Sequence, residues 1–148
     1  MSHRAEAVLL LTHAAATLFM VGLIWMVQVV HYPLMRQVGA AAFPAYALAH
    51  QTRITWVVLP VMSVELIAAL LLVWQAGPRL SPFLAWTGVA LLAIIWAMTL
   101  LVHVPQHGRL ATAFDSETIT FLVRTNWVRT WAWTLRGLLA LGLLYQAR

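Results

Sequence analysis

The chain of 148 residues has no cysteine and no lysine, and only four acidic side chains, Glu6, Glu65, Asp115 and Glu117. The missing thiols exclude a disulfide scaffold, thiolate metal sites, iron–sulfur ligation and thiol redox chemistry. Charge is scarce throughout: 9% of residues are charged, against about a quarter in an ordinary soluble domain, and 63% are apolar. That balance excludes a soluble globular domain and a disordered tail. All nine basic residues are Arg, giving a net charge of +5. They are scattered towards helix ends and form no basic stripe, so nucleic acid is excluded as a partner. The lipid bilayer is the partner expected. Arg without Lys, together with abundant Ala, Leu and Val, fits a high-GC bacterial coding bias and hence a bacterial inner membrane.

A helix crossing the hydrocarbon layer needs about 20 mostly apolar residues. Four stretches qualify, at about 5–30, 54–74, 83–104 and 118–145. The first is too long for the apolar core of a cleavable signal. Between the first two, residues 31–53 are mixed and divided by Pro33 and Pro44, which suggests an interfacial helical segment. The run Ala76-Gly77-Pro78-Arg79-Leu80-Ser81-Pro82 reads as a turn with Ser81 capping the third helix, and Asp115-Ser116-Glu117-Thr118 as the capped start of the fourth. The fold expected is all-α: a single integral membrane domain over residues 1–148, built as a four-helix transmembrane bundle.

This topology gathers polar groups at one end. His31 closes helix 1, His50 and Arg53 precede helix 2, His103 and His107 close helix 3, and Arg124, Asn126 and Arg129 open helix 4. His103 and His107 are spaced i, i+4, and His50 and Arg53 i, i+3, so each pair is placed on one helix face. Asn126, Arg129, Trp133 and Arg136 form one stripe that must face inward, because Arg at lipid depth costs about 2.5–3.5 kcal/mol or more. Glu65 lies 12 residues beyond Arg53, about 18 Å deeper, and Arg136 lies 12 residues beyond Arg124. An intramembrane carboxylate pairs or protonates, so Glu65–Arg136 is the first ion pair expected, with Arg129, one to two turns shallower, as the competing partner.

Imidazole ligates copper, iron and zinc, so His31, His50, His103 and His107 are a candidate ligand set for a transition metal, copper or iron. Two facing imidazoles suit a haem instead. The plainer alternative has these histidines bonding headgroups or backbone carbonyls. Glu65 is a candidate proton carrier or half of a structural pair, and Asn126 and Arg129 are candidates to orient a substrate oxygen. Arg53, Trp133 and Arg136 are candidate contacts for a cofactor or an apolar ligand. No GxSxG, P-loop, HExxH or dinucleotide fingerprint occurs.

The runs VQVVHYPLM, AYALAHQTRITWVVLP, HVPQHGRL and TNWVRTWAWTLRG, taken in order, resemble the small four-helix membrane proteins grouped with anthrone oxygenases. The last run holds Trp127, Arg129 and Thr130 as W-x-R-T, similar to but shorter in spacing than the family's W-x-x-x-R-T-like element. The resemblance implies oxygenation of polyaromatic molecules, an activity attributed to some members. The chain is richer in histidine at the polar end than that pattern. The expectation is a membrane oxidoreductase, oxygenase-like and metal-dependent, acting on an apolar or aromatic small molecule at one membrane face. The alternatives are a haem-binding electron-transfer protein, or a non-enzymatic subunit or small transporter whose polar stripe packs on a membrane partner or a second copy.

Overall fold

The computed structural model describes residues 2–75 and 80–147. Among them there are four helices and no strand: α1 (His3–Met35), α2 (Phe43–Gln75), α3 (Pro82–Leu110) and α4 (Ser116–Gln146). Polar side chains start three of them. Ser2 accepts from the Ala5 amide, Ser81 from that of Leu84, and Asp115 from that of Glu117 at 2.9 Å. The first four positions of the turn expected before Ser81, including Arg79, lie outside the described residues.

Helices α1, α2 and α3 are long and apolar enough to cross a membrane. Each helix packs on two neighbours, in the ring α1–α2–α3–α4–α1. The main core joins Met20, Ile24, Met62, Ile95, Leu122 and Trp133 across this ring. α1 and α4 come close together at Gly137, where a Cβ would lie 3.1 Å from Val21 Cγ2. Side chains turned away from the core are largely apolar. Leu11, Val29, Leu70, Ile94 and Leu138 are all exposed, as suits a hydrocarbon surround.

The segment at 31–53 differs from the separate interfacial piece expected of it. Residues 31–35 continue α1, residues 43–53 are the first turns of α2, and only 36–42 form the connection. The reason lies in the two His-x-Pro steps, His31-Tyr32-Pro33 and His103-Val104-Pro105. Proline has no N–H and its ring clashes with the carbonyl four residues back, which ordinarily breaks a helix. Here each helix widens by one residue just before the proline, in π turns at Val27–His31 and Met98–His103. The Tyr32 amide bonds the Val27 carbonyl and the Val104 amide bonds the Thr99 carbonyl, both five residues back, and the helix continues.

Candidate functional site

Two polar centres lie inside the bundle. The deeper one contains the expected ion pair: Arg136 Nε donates to Glu65 Oε1 at 2.9 Å, with both side chains almost fully buried. The Thr17 hydroxyl donates to the same oxygen at 3.0 Å, and Trp133 Nε1 donates to Glu65 Oε2 at 3.1 Å. Arg136 also donates to the Gly88 carbonyl and, at 3.3 Å, to His13 Nε2. This cluster therefore reaches all four helices. Both carboxylate oxygens and all three guanidinium nitrogens are hydrogen-bonded, so the arrangement ties the four helices in one register.

The second centre lies towards the π turns, around a cavity of ≈ 250 Å³. Its walls are apolar, from Met20, Ile24, Val58, Met62 and Trp96 among others, and its polar end is formed by Tyr32, His50, Gln51, His103, His107 and Arg129. Leu59 of α2 and Leu100 and Val104 of α3 line it and are also about half exposed, so the cavity reaches the surface at the α2–α3 seam.

Hydrogen bonds fix the polar end. His103 sits at the close of the second π turn and its Nδ1 lies 2.9 Å from the Met98 carbonyl. A carbonyl only accepts, so Nδ1 carries the proton, and in the neutral ring Nε2 is a bare acceptor. His103 is 1% exposed, and that Nε2 is buried with no partner among the described residues. The Tyr32 hydroxyl lies 2.9 Å from His107 Nε2 and against the Arg129 guanidinium. The hydroxyl donates to His107 Nε2 or accepts from it according to the His107 tautomer, and Arg129, which only donates, stands beside the phenol oxygen. Gln51 holds His107 from the other side by donating to its backbone carbonyl. Arg129 is 7% exposed and has no carboxylate partner among the described residues; its cation lies 5.3 Å from the Trp133 ring centroid, and its Nε is unpartnered.

The four expected metal ligands meet at this end, since His107 stands within electrostatic range of His31, His50 and His103. They do not form the expected ligand set. Among the described residues no three His, Asp or Glu side chains are placed to hold a metal ion. His31 and His50 stack face to face with ring centroids 4.1 Å apart. A stack that close also leaves no room for a haem between the two rings. His107 Nε2 is taken by Tyr32 and His103 Nδ1 by a carbonyl.

Of the other expected site residues, Arg129 alone lines the cavity. Asn126 is buried one turn away, where its amide donates to Gln28 Oε1 at 2.8 Å while Gln28 donates to the Val123 carbonyl at 3.1 Å. That exchange ties α1 to α4, and Asn126 does not line the cavity. Trp133 and Arg136 belong to the Glu65 cluster. Arg53 is exposed and reaches only the Ala49 carbonyl of its own helix, at 3.4 Å. Three residues on from His50, it is turned about 60° around the helix, enough to leave the seam for the rim.

Tyr32, Gln51, Trp96 and His13 are not among the residues that the sequence singles out. One signal existed: His13 and Thr17 are spaced i, i+4 on the face that Met20 and Ile24 continue, so that polar pair had to face inward.

Fold and site together define an all-α membrane protein with an amphipathic cavity at one end of its bundle. The chain matches no protein-family model, no curated protein and no solved structure.

Proposed function

We propose that the chain is an integral membrane oxidoreductase of the oxygenase type, which admits an apolar aromatic molecule from the bilayer and acts on its oxygen-bearing end. The observation that carries this reading is a cavity lined by both His103, whose buried Nε2 has no partner among the described residues, and Arg129, which has no carboxylate partner among them. A positioned imidazole lone pair is a general base, typically worth about 10²–10⁴-fold in rate. A desolvated guanidinium stabilises the oxygen anion that proton removal creates. Such an anion is electron-rich and gives its electrons readily to dioxygen. For an anthrone, the substrate class implied by the resemblance, the balanced reaction is anthrone plus O₂ giving anthraquinone plus water. Each step assigned here belongs to His103 or Arg129.

Aromatic side chains support four spans, and the Arg-without-Lys composition fits a bacterial inner membrane. Trp56 and Trp74 on α2 are exposed and 18 residues apart, as are Trp127 and Tyr145 on α4. Eighteen residues rise about 27 Å, close to the thickness of the hydrocarbon layer that such belts flank. The fourth helix is the least apolar because Asn126, Arg129 and Arg136 face the interior, so its composition is compatible with crossing.

The test is oxygen uptake and anthraquinone absorbance with protein in lipid nanodiscs, measured against the spontaneous oxidation of anthrone in empty discs. Catalysis above background is expected, with His103→Ala and Arg129→Met each lowering it about 100-fold. Arg53→Ala is expected to leave it unchanged. Wild-type protein at the background rate, or His103→Ala equal to wild type, overturns the reading.

A further inference from the structure

Arg129, Trp96, His107 and His103 all line the cavity and each carries a buried polar atom with no partner among the described residues, and two of these atoms are of opposite kinds. Arg129 Nε is a donor and can be nothing else. His103 Nε2 is an acceptor, because the Met98 carbonyl holds the ring's proton on Nδ1. Both side chains are more than nine-tenths buried, and both line the same cavity. Buried polar groups are ordinarily satisfied, and leaving one unpaired costs binding free energy. A ligand that satisfies both must accept one hydrogen bond and donate another at the same end. A carbonyl or ether oxygen accepts from Arg129 and has nothing to give His103. A carboxylate has the same deficiency, and an ammonium group fails towards Arg129. A hydroxyl on an aromatic ring does both with one atom: its oxygen accepts from Arg129 Nε–H and its proton goes to His103 Nε2. The ring itself suits the walls of Met20, Val58 and Met62.

We infer that this site recognises its ligand in the hydroxyl form, a phenol, hydroquinone or enol fused to an apolar ring system, in preference to the corresponding carbonyl or ether. This inference rests on the proposed function and narrows its substrate class. For an anthrone it designates the enol tautomer, which has an O–H group that the quinone product lacks. The product therefore leaves the His103 lone pair unsatisfied and is held more weakly, which favours its release to the bilayer.

A matched pair of air-stable probes tests this: 1-naphthol and 1-methoxynaphthalene, which share the ring and differ in the one proton, with 1,4-naphthoquinone as the carbonyl form. Binding is measured by equilibrium dialysis with protein in nanodiscs, corrected for partition into empty nanodiscs of the same lipid. The expected result is naphthol at least about 10-fold tighter than either comparator, the scale on which an unsatisfied buried group weakens binding. His103→Phe keeps an aromatic ring and removes the acceptor. In that variant the naphthol preference is expected to collapse to near unity while methoxynaphthalene still binds, a change of selectivity that loss of packing alone does not produce. Equal binding of all three probes to wild-type protein overturns this inference and leaves the cavity as an apolar aromatic site. No binding above empty nanodiscs by any of them overturns both the inference and the function on which it rests. The wild-type ratio decides the matter even where the variant fails to fold.

Discussion

Glu65 on α2 and Arg136 on α4 face each other across the bundle axis, 2.9 Å apart and closed off from solvent. These helices stand diagonally in the ring, so the pair ties together elements whose backbones do not touch. Thr17, Trp133 and the Gly88 carbonyl complete it, and this completion separates a tolerable buried ion pair from a costly one.

Removing one partner leaves the other charged and uncompensated. Glu65→Gln is expected to destabilise the protein by about 3–5 kcal/mol, and Arg136→Met by a similar amount. The double substitution Glu65→Leu with Arg136→Met is expected to recover much of that loss, because neither charge remains. Thermal unfolding in detergent, followed by circular dichroism, measures all three. A double variant no more stable than the singles would show that the pair matters for more than its charges.

Asn126 gives a contrasting case, since it was expected beside substrate and is found binding Gln28. Asn126→Ala leaves the buried Gln28 oxygen without its amide donor, and about 1–3 kcal/mol of stability is expected to be lost. Naphthol affinity and the oxidation rate of the folded fraction are expected to stay within about twofold of wild type, since changes away from a site usually perturb little. A large loss of activity with unchanged stability would return Asn126 to the site.

Much of this arrangement was legible in the sequence. Four apolar stretches gave four helices, and the cost of Arg in lipid placed Asn126, Arg129, Trp133 and Arg136 inside, where all four are buried. The cost of a lone carboxylate named the partner of Glu65 correctly. His103 and His107, one helical turn apart, do line one cavity. Less legible was what the imidazoles bind. Spacing places a ring on a face but does not choose which nitrogen holds the proton, and for His103 that choice came from the carbonyl of Met98. Prolines at 33 and 105 read as breaks, whereas the π turns before them carry the helices through. Such a turn inserts a residue that a 3.6-residue period does not count.

Outside the apolar spans, Asp115 gives the fold a measurable pH response. Its carboxylate accepts from the Thr118 hydroxyl and the Glu117 amide at the start of α4, which holds its pKa below the ordinary 3.8. A depressed carboxylate contributes stability that is present above its unfolded pKa and lost as pH falls through the lower folded value. Asp115→Ala is therefore expected to lower the thermal midpoint at pH 7, with the difference from wild type shrinking as the pH is taken below about 3.8. A difference that stays constant down to pH 2 would assign the effect to something other than the charged cap.

Access to the cavity can be tested at the α2–α3 seam, where Leu59 and Leu100 line the cavity and are also exposed. A ligand arriving from the bilayer has to pass between them, whereas one arriving from water would enter past the His31–His50 stack. The chain has no cysteine, so Leu59→Cys with Leu100→Cys provides two unique thiols. Bridging them with a short, cleavable bifunctional reagent is expected to slow naphthol association at least about 10-fold, with the rate restored when the bridge is cut, because closing a route acts on entry without altering the bound contacts. The uncrosslinked double variant serves as the reference, and its affinity is expected to match wild type, since the polar end of the cavity is untouched. Stopped-flow fluorescence of Trp96 and its neighbours follows the association. An unchanged rate in the bridged protein would move the entrance from the lipid-facing seam to the histidine end.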